Sequence, residues 1–169
     1  MINNIVLFTD LQCDINLTEL TLRCTNIVYH PKTFSGAQWK SKTIGGHCML
    51  FSNGKMVING RAKNIQEAKQ RLRRYTRILQ KMGWNVKLKR IYVKTISASF
   101  KVEGPLRVSH IVNHYRGTYE PEQFLAVMFV KDSIHFTCFQ SGSVLMTGIK
   151  TEKQVFDICM PILIELPLL

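Results

Sequence analysis

The sequence predicts an α+β fold made by tandem duplication, each half an antiparallel sheet covered on one face by helices. Three observations predict it. The first is a hairpin phrase, Phe51-Ser52-Asn53-Gly54-Lys55-Met56-Val57-Ile58-Asn59-Gly60, whose Asn-Gly pair tolerates the positive φ of a tight turn. The second is its recurrence 88 residues later as Phe139-Gln140-Ser141-Gly142-Ser143-Val144-Leu145-Met146-Thr147-Gly148. A separate phrase, Tyr29-His30-Pro31-Lys32-Thr33-Phe34, returns in the same order 90 residues on as Tyr119-Glu120-Pro121-Glu122-Gln123-Phe124. Two motifs at nearly one period indicate repeats, 1–84 and 85–169, sharing one continuous sheet. The third is a helical pattern after each hairpin, long in the first half and short in the second.

The elements follow in order. Asn4 to Leu11 is an apolar, β-branched run and reads as a strand; Leu17 to Arg23, behind the cap candidate Asn16, suits a short helix. Asn26 to Tyr29 is a strand ended by Pro31, which cannot donate to a ladder, and Gln38 to Lys42 is another. Ile65 to Met82 is the long helix, capped by Asn64 with Glu67 three residues on and stopped by Gly83. Its apolar positions Ile65, Ala68, Leu72, Tyr75, Leu79 and Met82 make one stripe, with Arg73, Arg74, Arg77 and Lys81 opposite. In the second half Val86 to Val102 is strand-rich, Pro105 to Val112 a short helix and Asn113 to Tyr119 a strand. Gln123 to Lys131, Ser133 to Gln140 and Val144 to Gly148 complete the sheet, and Thr151 to Met160 is a helix stopped by Pro161.

Composition narrows the partners. The chain carries 23 basic and 11 acidic residues, 13 against 4 up to Trp84 and 10 against 7 after it, a balance that favours a polyanion. The five cysteines, Cys13, Cys24, Cys48, Cys138 and Cys159, never stand at CxxC spacing and read as reduced thiols of an intracellular protein. No basic n-region and no membrane-length apolar run is present, so no membrane partner is expected. His30, His47, His110, His114 and His135 are scattered, carboxylates are spread out, and no nucleophile sits beside a base, so no enzyme, cofactor or metal is expected. His110 and His114 have helical spacing, but Pro105 and Asn113 leave little helix for a metal pair.

The hairpin flanks carry apolar residues at odd positions (Met49, Phe51, Val57) and at even ones (Cys48, Leu50, Met56, Ile58), so both sheet faces are wanted dry. Helices cover one. The other leaves Phe51, Phe139, Val57 and Leu145 bare, rimmed by Lys32, Lys40, Lys42, Lys55, Lys131 and Lys150. An apolar face with a basic rim fits duplex DNA entered from the minor groove.

These residues resemble the conserved core of the TATA-box-binding protein family from Asn4 to about Leu163. Asn4-Ile5-Val6, Tyr29-x-Pro31-Lys32-x-Phe34, Phe51-Ser52-x-Gly54-Lys55-Met56-Val57, Gln80-Lys81-x-Gly83, Tyr119-Glu120-Pro121-Glu122-x-Phe124, Ser141-Gly142 and Thr147-Gly148 stand in family positions. The resemblance implies a non-enzymatic transcription initiation factor shaped as a saddle, its curved antiparallel sheet on DNA and helices on the convex face. It assigns intercalating wedges to Phe34, Phe51, Phe124 and Phe139, all present. It places minor-groove contacts at Asn4, Val6, Met49, Val57, Asn59, Thr95, Ser97, Leu145 and Thr147. Several depart from the family pattern: Asn59 stands for a threonine, Thr95 for an asparagine, Ser97 for a valine and Thr137 for a leucine. Amides and hydroxyls can accept from the guanine amino group, so relaxed preference for A·T-rich or TATA-like sites is expected.

Phosphate contacts carry over to Lys32, Lys40, Lys55, Asn53, Lys131, Ser141 and Lys150, while Thr33 and Ser143 replace basic residues. Glu120 and Glu122 keep the charges that bind a TFIIB-like factor, with Gln123 in place of a leucine. Arg73, Arg74, Arg77 and Lys81 match the surface for TFIIA-like factors and negative regulators. Without DNA the same face suits a homodimer. The apolar tail Ile162 to Leu169 either packs on its own body or meets a partner. The expected location is nuclear, or the site of viral transcription, since divergence from the cellular pattern suits a viral version. The rival reading keeps the fold but makes the chain a regulator or decoy that binds transcription proteins with weak or no sequence-specific DNA binding.

Overall fold

The computed structural model describes all 169 residues, and they cluster into two compact units, Asn4–Lys94 and Thr95–Leu169, the latter also holding Met1–Asn3. The first unit contains β1 (Ile2–Asp10) from Asn4 onward, then α1 (Leu17–Arg23), β2 (Ile27–Val28), β3 (Ala37–Trp39), β4 (His47–Leu50), β5 (Lys55–Gly60) and α2 (Ile65–Lys81). Its strands lie in the order β2-β3-β4-β5-β1 with antiparallel neighbours. The second unit contains most of β6 (Ile91–Lys101), then α3 (Val108–Tyr115), β7 (Thr118–Glu120), β8 (Phe124–Lys131), β9 (Ile134–Phe139) and β10 (Ser143–Ile149). It closes with α4 (Glu152–Gln154), a π turn (Val155–Cys159) and α5 (Met160–Glu165). Its order, β6-β10-β9-β8-β7, repeats the first unit's connectivity.

Local chemistry fixes the long helix. The Asn64 Oδ1 accepts from the Glu67 N–H at 2.9 Å, and the Glu67 carboxylate accepts from the Lys63 N–H at 2.7 Å. At the other end Gly83, at φ 104°, donates to the Gln80 carbonyl while Trp84 donates to that of Leu79, the paired bonds of a Schellman stop. Ala68, Leu72, Tyr75, Thr76 and Leu79 are buried on its sheet side. Tyr75 meets Trp39 edge-on at 4.9 Å. Its hydroxyl accepts from the Ser41 N–H and donates to the Gly45 carbonyl, tying the β3–β4 loop to the helix.

Several boundaries differ from the sequence reading. Strands expected at Asn26–Tyr29 and Gln38–Lys42 shrink to Ile27–Val28 and Ala37–Trp39, and β6 starts at Ile91 rather than Val86. The short helix expected at Pro105–Val112 is α3, Val108–Tyr115, and it takes over residues assigned to a strand at Asn113–Tyr119. Pro105 stays outside because its segment pairs with the tail: Arg107 N donates to Pro167 O and Leu169 N to Pro105 O. His110 and His114 therefore both lie in helix, rings stacked 6.1 Å apart, yet no group of three or more metal-ligating side chains forms.

Pro161 does not end the last helix, which continues to Glu165. The π turn before it sends the Met160 N–H to the Val155 carbonyl, five residues back. That extra residue opens the turn where the proline ring would clash with a helical carbonyl and supply no N–H. The tail is divided: Ile162, Leu163 and Leu166 are buried, whereas Ile164 and Leu169 are exposed. No helix is long and apolar enough to cross a membrane.

Tyr75→Phe removes the hydroxyl that satisfies the Ser41 N–H and Gly45 carbonyl. The expected loss is about 1–3 kcal/mol of unfolding free energy, read as a lower denaturant midpoint at unchanged slope.

Candidate nucleic-acid interface

Strand alternation sorts each unit's side chains into a covered and an open face. In the first unit Ile5, Leu7, Cys48, Leu50, Met56 and Ile58 are buried toward the helices. The intervening residues face the other way: Met49 lies opposite Val57, Val57 opposite Phe8, His47 opposite Asn59 and Asn59 opposite Val6. In the second unit Val127, Phe129, Ile134, Phe136, Cys138, Val144 and Met146 are buried. There Met128 opposes Thr137, Thr137 opposes Leu145 and Leu145 opposes Ser99, with Val130, His135 and Thr147 in the next row. Met128, Val130 and Leu145 are exposed, so the apolar face is bare.

Each open face carries one pair of phenylalanines. Phe34 and Phe51 meet edge-to-face with centroids 5.9 Å apart, and Phe124 and Phe139 do the same at 5.6 Å. Phe34 is 37% and Phe124 43% exposed, so neither ring is sealed in the core. A tight hairpin sets each pair. Gly54, at φ 86°, presses on the Cys13 backbone, and Gly142, at φ 94°, presses on the carbonyl of Gly104, leaving no room for a Cβ at either tip.

The polar residues assigned to the centre are half-exposed: Asn4, Asn59, Thr95, Ser97 and Thr147. Asn4 is already engaged, its Oδ1 accepting from the Gly60 N–H at 2.8 Å. Asn59 lies between His47 and Val6, and Thr147 beside His135. Around the faces Lys32, Lys40, Lys55, Lys131, Lys150, Asn53 and Ser141 are all exposed, and the Asn53 side-chain Oδ1 accepts from the Lys55 N–H to hold the hairpin tip. Glu120 and Glu122 are exposed at the β7–β8 turn. Arg73, Arg74, Arg77 and Lys81 line the outer side of α2, with Arg74 reaching the Thr43 carbonyl.

The sequence reading assigns no role to several open-face residues, among them Met128, Val130, Ser99, Phe8, His47 and His135. Phe8 lies opposite Val57 and packs on Tyr92, under the Arg90 guanidinium. His47 and His135 occupy the same register position in β4 and β9. The signal that finds them is the hairpin period itself, since they too are 88 residues apart. Burial, and then the charge of Lys40, lower the pKa of His47, which keeps its ring neutral at physiological pH.

Residues 1–82 and 90–166 match the family model described as transcription factor TFIID, or TATA-binding protein, TBP. The chain belongs to the TATA-binding protein family. It is 30% identical to the TATA-box-binding protein of Emericella nidulans over 96% of its own length and 63% of that protein's. Against the Schizosaccharomyces pombe TATA-box-binding protein the figures are 31%, 97% and 74%, and against that of Artemia franciscana 32%, 93% and 58%. The chain thus spans from somewhat over half to about three quarters of these relatives' length. Among solved structures, Methanococcus jannaschii TBP aligns with a TM-score of 0.84 at 26% identity, covering 96% of this chain and 94% of that one.

The depressed pKa of His47 sets a pH dependence. At pH above the ordinary histidine value of about 6.5 the ring is neutral folded or unfolded and adds nothing. As pH falls through that value the unfolded chain takes the proton first, so stability drops and levels off once the folded ring is protonated too. Thermal unfolding at pH 7.5 and 5.5 is expected to show a smaller acid-induced loss in His47→Asn than in the unsubstituted chain.

Proposed function

We propose that the chain is a transcription initiation factor that binds and bends promoter DNA from the minor groove. The observation that carries this is a pair of phenylalanines on each open face, one ring exposed (Phe34, Phe124) and one half-buried beneath it (Phe51, Phe139). Exposed rings such as Phe34 and Phe124, held edge-to-face on the hairpin residues Phe51 and Phe139, gain nothing from water. Inserted between base steps they unstack and kink the duplex, and the bent duplex covers the bare rows of Met49, Val57, Met128 and Leu145. Val6, Asn59, Ser97, Thr95 and Thr147 then face base edges, and Lys32, Lys40, Lys55, Lys131, Lys150, Asn53 and Ser141 hold phosphates. Asn4 serves the Gly60 backbone first and offers the groove its amide hydrogens. Site preference is TATA-like but relaxed.

Glu120 and Glu122 receive a TFIIB-like factor, and the cations of α2 a TFIIA-like factor or negative regulator. In the absence of DNA a second copy of the chain covers the apolar face. The setting is nuclear. The named relatives, TATA-box-binding proteins, support the reading, and so does this chain's own basic excess of 23 residues against 11. The engaged Asn4 favours the rival, a regulator that binds transcription proteins and reads DNA weakly.

Phe34→Ala combined with Phe124→Ala separates the two. Loss of the mobility shift and of the bend measured by circular permutation of a TATA-containing duplex is expected, with folding intact because both rings are exposed. No shift or bend by the unsubstituted chain would leave the rival standing, and a bend that survives both substitutions would show that the rings are not the wedges. Replacing Lys32 or Lys55 by Ala is expected to shallow the log–log dependence of affinity on salt by roughly 0.9 each.

A further inference from the structure

We propose that His47 and His135 are base-edge contacts of the two open faces, through which the chain accepts a G·C pair within an otherwise A·T-rich site. The inference rests on the minor-groove reading above. His47 stands two residues before Met49 and four before Phe51; His135 stands two before Thr137 and four before Phe139. His47 opposes Asn59, and His135 opposes Thr147 on one side and Val130 on the other. Each imidazole therefore sits on the ring-bearing face beside a polar residue, Asn59 or Thr147, in a row that also holds one valine, Val6 or Val130.

The chemistry of the groove gives that placement meaning. Adenine N3 and thymine O2 only accept, and a guanine adds one donor, its exocyclic amino group. Aliphatic side chains such as Val57 and Leu145 cover that amino group without pairing it. A neutral imidazole offers one N–H and one bare nitrogen, so the same ring can donate to N3 or O2 and accept from the guanine amine. His135 is exposed on its face. In His47 the Nε2 is covered and has no hydrogen-bond partner in the protein, a deficit that a base edge would relieve. A half-turn about χ2, a broad and nearly two-fold torsion, exchanges the covered and open edges of that ring.

The test uses the full chain and a panel of short duplexes at one salt concentration. A single G·C pair is moved through an A·T-rich site, and each duplex has a twin with inosine for guanine, which lacks only the minor-groove amino group. For the unsubstituted chain, one position in each half of the site is expected to bind G·C about as well as I·C. In His135→Val the G·C duplex at one such position is expected to weaken about tenfold while its inosine twin is unchanged. His47→Val is expected to do the same at the other position, and His47→Asn, which keeps an acceptor, to weaken it less. The exposed His135 gives a variant that folds whatever happens at His47. Equal loss for G·C and I·C would mean the rings only fill space and would overturn the inference. So would G·C being disfavoured at every position in the unsubstituted chain, with A·T binding and bending intact and the minor-groove reading untouched. Failure to bind any duplex overturns both.

Discussion

One mismatch governs this molecule: a sheet has two faces, and its helices cover only one. Because side chains alternate along a strand, burying Cys48, Leu50, Met56 and Ile58 under α2 forces Met49, Val57 and Phe51 to the opposite side. Had those been polar, each unit would be an ordinary half-wet sheet. They are apolar, so the fold carries an unsaturated surface as a direct product of its register. A one-residue slip of β4 would bury the rings and expose the core.

The parts legible in the sequence were those with short-range causes. The cap at Asn64 and the stop at Gly83 bounded α2 within a residue, and the Asn16 cap placed α1 at Leu17–Arg23. Where the cause is distant, local pattern does not carry it. Pro105 looked like a helical first turn, but its carbonyl is held by Leu169, more than sixty residues downstream, and the helix forms after it. The rings of the interface could be read because the echo preserves them. The engagement of Asn4 by Gly60 could not, since it joins strands 56 residues apart. The histidine pair shares the 88-residue period, a relation that metal-ligand spacing does not test.

Charge and sulfur follow the same division between faces. The cations are exposed at rims and on the outer side of α2, while Cys48, Cys138 and Cys159 lie in the core. Burial pushes the thiols up, to about 12 for Cys138 and about 11 for Cys159, so they are poor nucleophiles and act as small apolar fillers. Cys13 and Cys24 are half-exposed and unpaired with other cysteines.

The wide turn at Val155–Cys159 has an evolutionary corollary. It spends one surplus residue to let a proline sit inside a continuing helix, so neither feature is neutral alone. Excising a residue would restore the ordinary pitch and drive the pyrrolidine into the preceding carbonyl. Replacing the proline would remove the reason for the bulge and swing Ile162 and Leu163 out of phase with the core if the turn then tightened. The insertion and the proline are expected to be gained or lost together along any lineage that keeps this ending.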